Sequence, residues 1–283
     1  MASKHVSFSQ LMTYVRCAEH YLFRYVLGIR RPPTKAQKHG FALHETFAYH
    51  FEQKKLDRKG IRARDAQDFF AGIFQSAMED YQLEMEQSRA LLTKEYIAKE
   101  RQNSIPNLLL TGARGIDVYF KELEPKIKPD LVETAFSFPA DKGLEMVGRI
   151  DLTDTSHVIH EMKTTRRTPS WQDIANDPQI SIYQEAFLRL KGKPAKGISK
   201  DYIVFSKRDS RIVRFQVHHP RHNYAAVLQS AHAIMEAVKH NVFYCLHPAE
   251  SWVCSKEWCG YYKLHQELKK KGLAKFMLQY SRL

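Results

Sequence analysis

The pattern of apolar and polar positions changes about half-way along the chain. Phe8 to Leu27 is dense in apolar and aromatic residues, stops at Gly28 and is closed off by Pro32-Pro33, which predicts a helix ended by a glycine. Further helices are expected over 41–57, 63–90 and 94–124, the last broken near Pro106. Beyond these the pattern becomes strand-like at 131–138, 144–153, 157–164, 200–206 and 211–217. These strands surround a helix starting near 178, and a long helix over 221–240 follows. The expectation is an α/β core with a helical N-terminal portion folded onto it.

One pair of strands carries chemistry. Leu144 to Thr153 and Val158 to Thr164 are rich in β-forming residues, with the turn-prone Asp154-Thr155-Ser156-His157 between them, which predicts a β-hairpin. Paired through that turn, Asp151 and Glu161 project from one side, and Glu161 and Lys163 share a face because strand side chains alternate. Two carboxylates and an ammonium then converge. That set suits phosphodiester hydrolysis, in which the carboxylates of Asp151 and Glu161 hold a hard cation such as Mg²⁺ or Mn²⁺. The backbone carbonyl of Met162 is a further candidate ligand. Lys163 supplies positive charge to the attacking water and to the charge developing on phosphorus. The bland alternative is a solvated hairpin on which Glu161 and Lys163 form a surface pair worth about 0–1 kcal/mol.

The flanking elements bear on that choice. Asp177-Pro178 reads as an N-cap followed by a first-turn proline, and it opens an amphipathic helix in which Gln179 and Tyr183 lie on one face. Upstream, Gly40-Phe41-Ala42-Leu43-His44-Glu45 opens another helical segment, and the His44 imidazole is a possible additional metal ligand.

The order His44, Gly148-x-x-Asp151, Glu161-x-Lys163, Gln179-x-x-x-Tyr183 resembles the PD-(D/E)XK nuclease superfamily. More narrowly, it is similar to the nuclease domain of RecB-type recombination enzymes and to the related CRISPR-adaptation and phage exonucleases, over roughly residues 7 to 265. The resemblance implies a restriction-endonuclease-like core, a central mixed β-sheet flanked by helices. It also implies that His44, Asp151 and Glu161 bind the metal, that Lys163 is the catalytic lysine, and that Gln179 and Tyr183 contact DNA phosphates or order the site. On this reading 1–283 is one nuclease unit. It comprises a helical N-terminal portion over 1–125, the nuclease core over 126–240 and a cysteine-containing region over 241–283.

Four cysteines, Cys17, Cys245, Cys254 and Cys259, occur without a secretory signal, so a cytosolic metal site or free thiols is expected rather than disulfides. The segment Ser7 to Cys17 resembles the N-terminal segment of iron–sulfur members of the same family, in which one early cysteine joins three late ones around a structural [4Fe–4S] cluster. The late trio of that family runs Cys-x₂-Cys-x₅-Cys, whereas this chain has Cys254-x₄-Cys259 and places His265 where the last cysteine would fall. Cys17, Cys254 and Cys259 are therefore the expected ligands, with Cys245 or His265 as the fourth. Zn²⁺ or no metal at all are the alternatives.

Charge agrees with a nucleic-acid partner: 44 Lys and Arg against 31 Asp and Glu leave +13. Arg166 and Arg167, next to the hairpin, are candidate DNA phosphate contacts, while Lys269-Lys270-Lys271 reads as a solvated helix face. Trp252, Trp258, Tyr261 and Tyr262 are expected to pack around whatever the cysteines hold. No apolar run is long enough to span a membrane, and a cytoplasmic protein of a prokaryotic or phage-infected cell is expected. No Gly-x₄-Gly-Lys-Ser/Thr loop appears, so any DNA unwinding falls to a separate helicase, recombination or adaptation partner. The function expected is a metal-dependent exonuclease on single-stranded or frayed DNA. A structure-specific endonuclease and a non-catalytic DNA-binding adaptor are the competing readings.

Overall fold

The computed structural model describes residues 5–175, 177–206, 209–218, 223–245 and 251–280. In chain order they form β1 (His5–Val6), α1 (Phe8–Arg16), α2 (Ala18–Tyr21), a π-helical turn (Leu22–Val26), α3 (Lys35–Asp57), α4 (Ala63–Gln87), α5 (Lys94–Gln102) and α6 (Ile105–Glu122). Next come β2 (Pro129–Pro139), β3 (Glu145–Asp154), β4 (Val158–Thr165), α7 (Trp171–Ala175), α8 (Pro178–Lys191), β5 (Gly197–Phe205), β6 (Ser210–His218), α9 (Tyr224–Lys239), α10 (Tyr262–Lys271) and α11 (Leu273–Tyr280). The chain divides into two compact units, one of Met1–Lys35, Glu79–Ser104 and Gln229–Leu283, the other of Ala36–Met78 and Ile105–Leu228.

In the first unit, the helix expected over Phe8 to Leu27 is three pieces. α1 starts in a reciprocal cap: the Ser7 hydroxyl accepts from the Gln10 amide at 3.3 Å, and the Gln10 side chain accepts from the Ser7 amide at 2.7 Å. It ends at Cys17, whose extended backbone (φ −167°, ψ 104°) breaks the helix, and whose sulfur accepts the His20 amide and so caps α2. Periodicity alone missed this because the helical spacing of Leu11, Tyr14, Ala18 and Tyr21 runs straight through Cys17. Leu22 and Phe23 then pack with Tyr261, Leu264, Leu268 and Phe276, which ties the N-terminal helices to α10 and α11. The Tyr261 hydroxyl donates to the Ile29 carbonyl at 2.9 Å and accepts from the Arg31 amide at 3.1 Å, closing the same junction.

In the second unit, strands β2, β3, β4, β5 and β6 lie side by side in that order. β2–β3, β3–β4 and β5–β6 are antiparallel, and β4–β5 is parallel, with α8 as the crossover between them. This is the mixed sheet that the family resemblance implied. α6 packs on β5 and β6. The expected break near Pro106 is real: α5 ends at Gln102 and α6 begins at Ile105, with proline in its first turn, where its missing N–H costs nothing. α3 begins at Lys35 rather than near Phe41. The last predicted helix is α9, and residues 221 and 222 of the expectation lie outside the described residues.

Candidate active site

β3 and β4 pair at Thr153↔Ile159 and Leu152↔His160, and then the ladder stops. The next residues, Asp151 and Glu161, stand where the strands part. The Met162 amide, freed from the ladder, donates instead to Asp151 Oδ2 at 3.3 Å, which aims that carboxylate into the gap. Gly148 earlier on β3 lies opposite Phe136 of β2, and a side chain there would meet the Phe136 ring at 2.4 Å. The motif glycine thus lets an aromatic ring lie flat on the strand.

His44 comes from α3, and its Nδ1 is 3.6 Å from Asp151 Oδ2. Glu133 comes from β2, between the pairs Val132↔Leu152 and Thr134↔Ile150, so it lies across from Asp151. One ligand atom each of His44, Glu133 and Asp151 fall within 4.8 Å of one another. Sequence reasoning missed Glu133. Its only signal was a carboxylate inside a strand-like run, and only the β2–β3 register gives it meaning. Its backbone is left-handed (φ 42°), a strained conformation for a residue with a side chain.

Glu161 is buried and forms an ion pair through Oε1 with Lys163, two residues along the same strand. The Tyr183 hydroxyl stands beside this carboxylate, but no hydrogen bond of ordinary geometry reaches Oε2 among the described residues. A buried carboxylate oxygen left unpaired is costly, and a cation is the simplest group to satisfy it. The electrostatics agree. Burial, and then the neighbouring Glu161, raise the Asp151 carboxyl well above its ordinary range. Burial opposes ionisation of Glu161 too, but Lys163 beside it and Lys200 on the next strand outweigh that and hold it below the usual range. Burial also works against the Lys163 charge, yet Glu161 and Asp151 raise its pKa, so it stays an ammonium. Burial lowers the His44 imidazole to about 4, which leaves it neutral with a lone pair to give. Carboxylate oxygens plus a neutral imidazole, in excess negative charge, are a donor set that fits Mg²⁺ or Mn²⁺.

Gln179 and Tyr183 are both buried, one turn apart on α8, and the Gln179 amide donates to the Tyr183 hydroxyl at 2.8 Å. Asp177 caps α8 as expected, accepting the Gln179 amide at 2.9 Å. Lys200 was not singled out by its sequence. It sits opposite Glu161 in the β4–β5 register, is 1% exposed, and binds the Asp177 carboxylate while lying 3.4 Å from Gln179 Oε1. It therefore connects the start of α8 to the strand bearing Glu161. His160, left without a role by sequence, is buried on the opposite face, with Nε2 3.1 Å from Asp154 and Nδ1 3.5 Å from Asp201, which Arg214 clasps with two nitrogens at 2.6 and 2.7 Å. Arg166 and Arg167 are exposed just past β4.

The sequence profile of the PD-(D/E)XK nuclease superfamily matches residues 5–264. The chain belongs to that superfamily. Nucleases of this superfamily hydrolyse nucleic acids and generally use divalent metals, and the oxygen-rich donor set of His44, Glu133 and Asp151 could hold one. A candidate exonuclease from Eubacterium rectale aligns with the chain at 11% identity and a TM-score of 0.50, over 84% of this chain and 82% of its own, a likeness of fold. A second solved structure, SSO0001, aligns at 19% identity over 50% of this chain and 66% of its own, with a TM-score of 0.34, too low to support an argument. No curated protein matches the chain.

In the first unit of this PD-(D/E)XK chain, Cys17, Cys245 and His265 bring one ligand atom each within 4.8 Å, a group that could hold a metal. Cys254 adjoins Cys245, and Cys259 adjoins His265. None of the four cysteines is paired in a disulfide. The His265 Nδ1 is bound to the Glu19 carboxylate, which orients the ring. Burial would depress this imidazole, but Cys245, Cys259 and Glu19 push it up to about 11. The aromatic expectation needs correcting: Tyr261 is core, but Trp252 and Trp258 are 68% and 41% exposed, stacked edge-on against each other, with Lys99 over the Trp258 ring. Lys269, Lys270 and Lys271 are exposed in the last turn of α10. No helix among the described residues is long and apolar enough to cross a membrane.

Proposed function

We propose that the chain is a Mg²⁺- or Mn²⁺-dependent deoxyribonuclease acting as an exonuclease on single-stranded or frayed DNA ends. The observation that carries this reading is the convergence of His44, Glu133 and Asp151 beside the Glu161–Lys163 pair, with a buried Glu161 oxygen left unpartnered. Asp151, Glu161, His44 and the Met162 carbonyl would hold the cation, and Glu133 joins them. When bound, the cation polarises the phosphoryl oxygens and acidifies water. Lys163 remains protonated, so it serves as a hydrogen-bond donor and positive charge toward the attacking water and the developing phosphorane, not as the base. Gln179 and Tyr183 are buried and bonded to each other, and the Tyr183 hydroxyl stands beside Glu161, so they order that carboxylate rather than touch phosphate. Arg166 and Arg167 receive a phosphate of the strand. The preference for ends rests on the RecB-type resemblance, and the setting it fits is cytoplasmic recombination, repair, phage replication or CRISPR adaptation, with a separate helicase for strand separation.

The test is digestion of linear and covalently closed circular single-stranded DNA with Mn²⁺ or Mg²⁺, wild type beside Lys163→Ala. An exonuclease degrades only the linear strand, and the variant degrades neither. Cleavage of the circle would establish an endonuclease, and a folded, inert wild type would establish an adaptor.

For the cysteine group we propose a structural metal centre held by Cys17, Cys254, Cys259 and either Cys245 or His265. The family resemblance makes a [4Fe–4S] cluster its form, and the sulfur–nitrogen donors make Zn²⁺ the alternative. Metal analysis of protein purified without air separates the two, since iron with sulfide, zinc, or neither gives three different answers.

A further inference from the structure

The sheet face that carries Glu161 and Lys163 continues across two more strands. In the β4–β5 register Lys163 lies opposite Tyr202, and in the β5–β6 register Lys200 lies opposite Phe215. Cross-strand partners share a face, so Lys163, Tyr202 and Phe215 all stand on the same side as Glu161. The Tyr202 and Phe215 rings meet edge to face with centroids 5.9 Å apart. Trp171, at the start of α7, is the next ring, 6.2 Å from Phe215 and tilted by 34°. It leaves 50% of its surface in water although α7 packs on β6. A tryptophan recruited only to cover a sheet would bury its face, because that burial is what stabilises the packing.

The surroundings are basic. Arg167 is exposed, and Arg211, also exposed, is held by the neutral hydroxyl of Thr168 at 2.6 Å, so its charge is not cancelled by that bond. Two carboxylates lie in the same region: Asp173 accepts from the Ser170 amide and hydroxyl at 3.0 and 2.7 Å and is close enough to Arg167 to feel its charge, and Asp177 is bound to Lys200, so the cations there outnumber them. A row of rings with arginines beside it, leading to a centre for phosphodiester chemistry, matches the needs of a polynucleotide whose bases are unpaired. Rings stack on base faces, guanidinium groups meet the backbone, and paired bases offer no free face to stack on.

We infer that Trp171, Phe215 and Tyr202 form a stacking track that guides a single DNA strand to the Glu161–Lys163 centre, with Arg167 and Arg211 on its phosphates. This deepens the nuclease reading of that centre and rests on it. Each base stacked on an aromatic ring contributes about 1–3 kcal/mol, so removal of one ring is expected to cost roughly 5- to 150-fold in affinity.

The experiment measures binding of a labelled oligothymidylate, an abasic oligomer of equal length and a blunt duplex in EDTA, by wild type, Trp171→Ala and Trp171→Phe. The track predicts that Trp171→Ala weakens oligothymidylate binding by that factor, that Trp171→Phe restores most of it, and that abasic and duplex binding barely change. Unchanged oligothymidylate affinity, or an equal loss with the abasic oligomer, overturns it. The same preparations are then given Mn²⁺. Cleavage by wild type without a ring-dependent affinity sinks the track and spares the nuclease, whereas ring-dependent binding without cleavage does the reverse.

Discussion

Asp151, Glu161 and Lys163 reach their centre from two strands joined by one tight turn, whereas Cys17 meets Cys245, Cys254, Cys259 and His265 from the far end of the chain. The first group offers hard oxygen donors in a gap where strands part. The second offers soft sulfur and nitrogen in a loop-rich region beside the Leu22–Phe23–Tyr261–Leu264 core. The difference teaches where stability resides. At the carboxylate centre like charges crowd together, and the fold tolerates an Asp151 that resists ionising, so that centre is held against its own electrostatics. At the cysteine group the same elements that build the core deliver the ligands, so a metal there would close the longest loop in the chain.

The largest expected effect separates the two directly. Asp151→Ala should lower metal-dependent cleavage by at least roughly 100-fold. Its melting temperature in EDTA should be unchanged or higher, because the substitution removes a carboxylate that burial and Glu161 both disfavour. A marked fall in melting temperature in EDTA would mean that Asp151 supports the fold instead. Cys17→Ala should behave in the opposite sense. We expect loss of bound metal and a melting temperature lower by about 10 °C, with cleavage per folded molecule kept. Normal metal content and stability in that variant would dismiss the structural centre. The smallest effect sharpens the boundary within the first site. Lys200→Met removes the charge that faces Glu161 and leaves Asp177 with only its capping bond from the Gln179 amide, while keeping the side chain's bulk. A loss of roughly 10-fold in Mn²⁺ affinity, read by titration, is expected, with DNA affinity in EDTA unchanged. Equal losses in both would make Lys200 a general support of α8 and nothing more specific.

Much of the first site is legible in the amino-acid sequence. The hairpin, the Asp177 cap with Pro178, and the shared faces of Glu161 with Lys163 and of Gln179 with Tyr183 are consequences of local periodicity, and the fold places these residues as that periodicity requires. Glu133 was not legible, because a carboxylate in a strand acquires a partner only through the register of its neighbour. Lys200 was hidden for the same reason: in sequence it is one more charged residue, and only the parallel pairing sets it opposite Glu161. Trp171 shows no pattern until β6 brings Phe215 beneath it. The break at Cys17 was invisible because the helical spacing of the apolar positions on either side of it is the same whether or not one residue between them turns extended.

What the sequence determined by itself is whatever depends on neighbours within a turn or two: which segments are helix or strand, where caps fall, which side chains share a face, and the family motif those faces compose. Tertiary structure alone decided which faces meet. It brought His44 from α3 and Glu133 from β2 to Asp151, set Lys200 behind Glu161, and gathered Cys17, Cys245 and His265 from opposite ends of the chain. The physical reason is that local order follows from backbone sterics and the alternation of side chains, whereas contacts between distant segments follow from how whole faces bury against one another, and that is a property of the assembled fold.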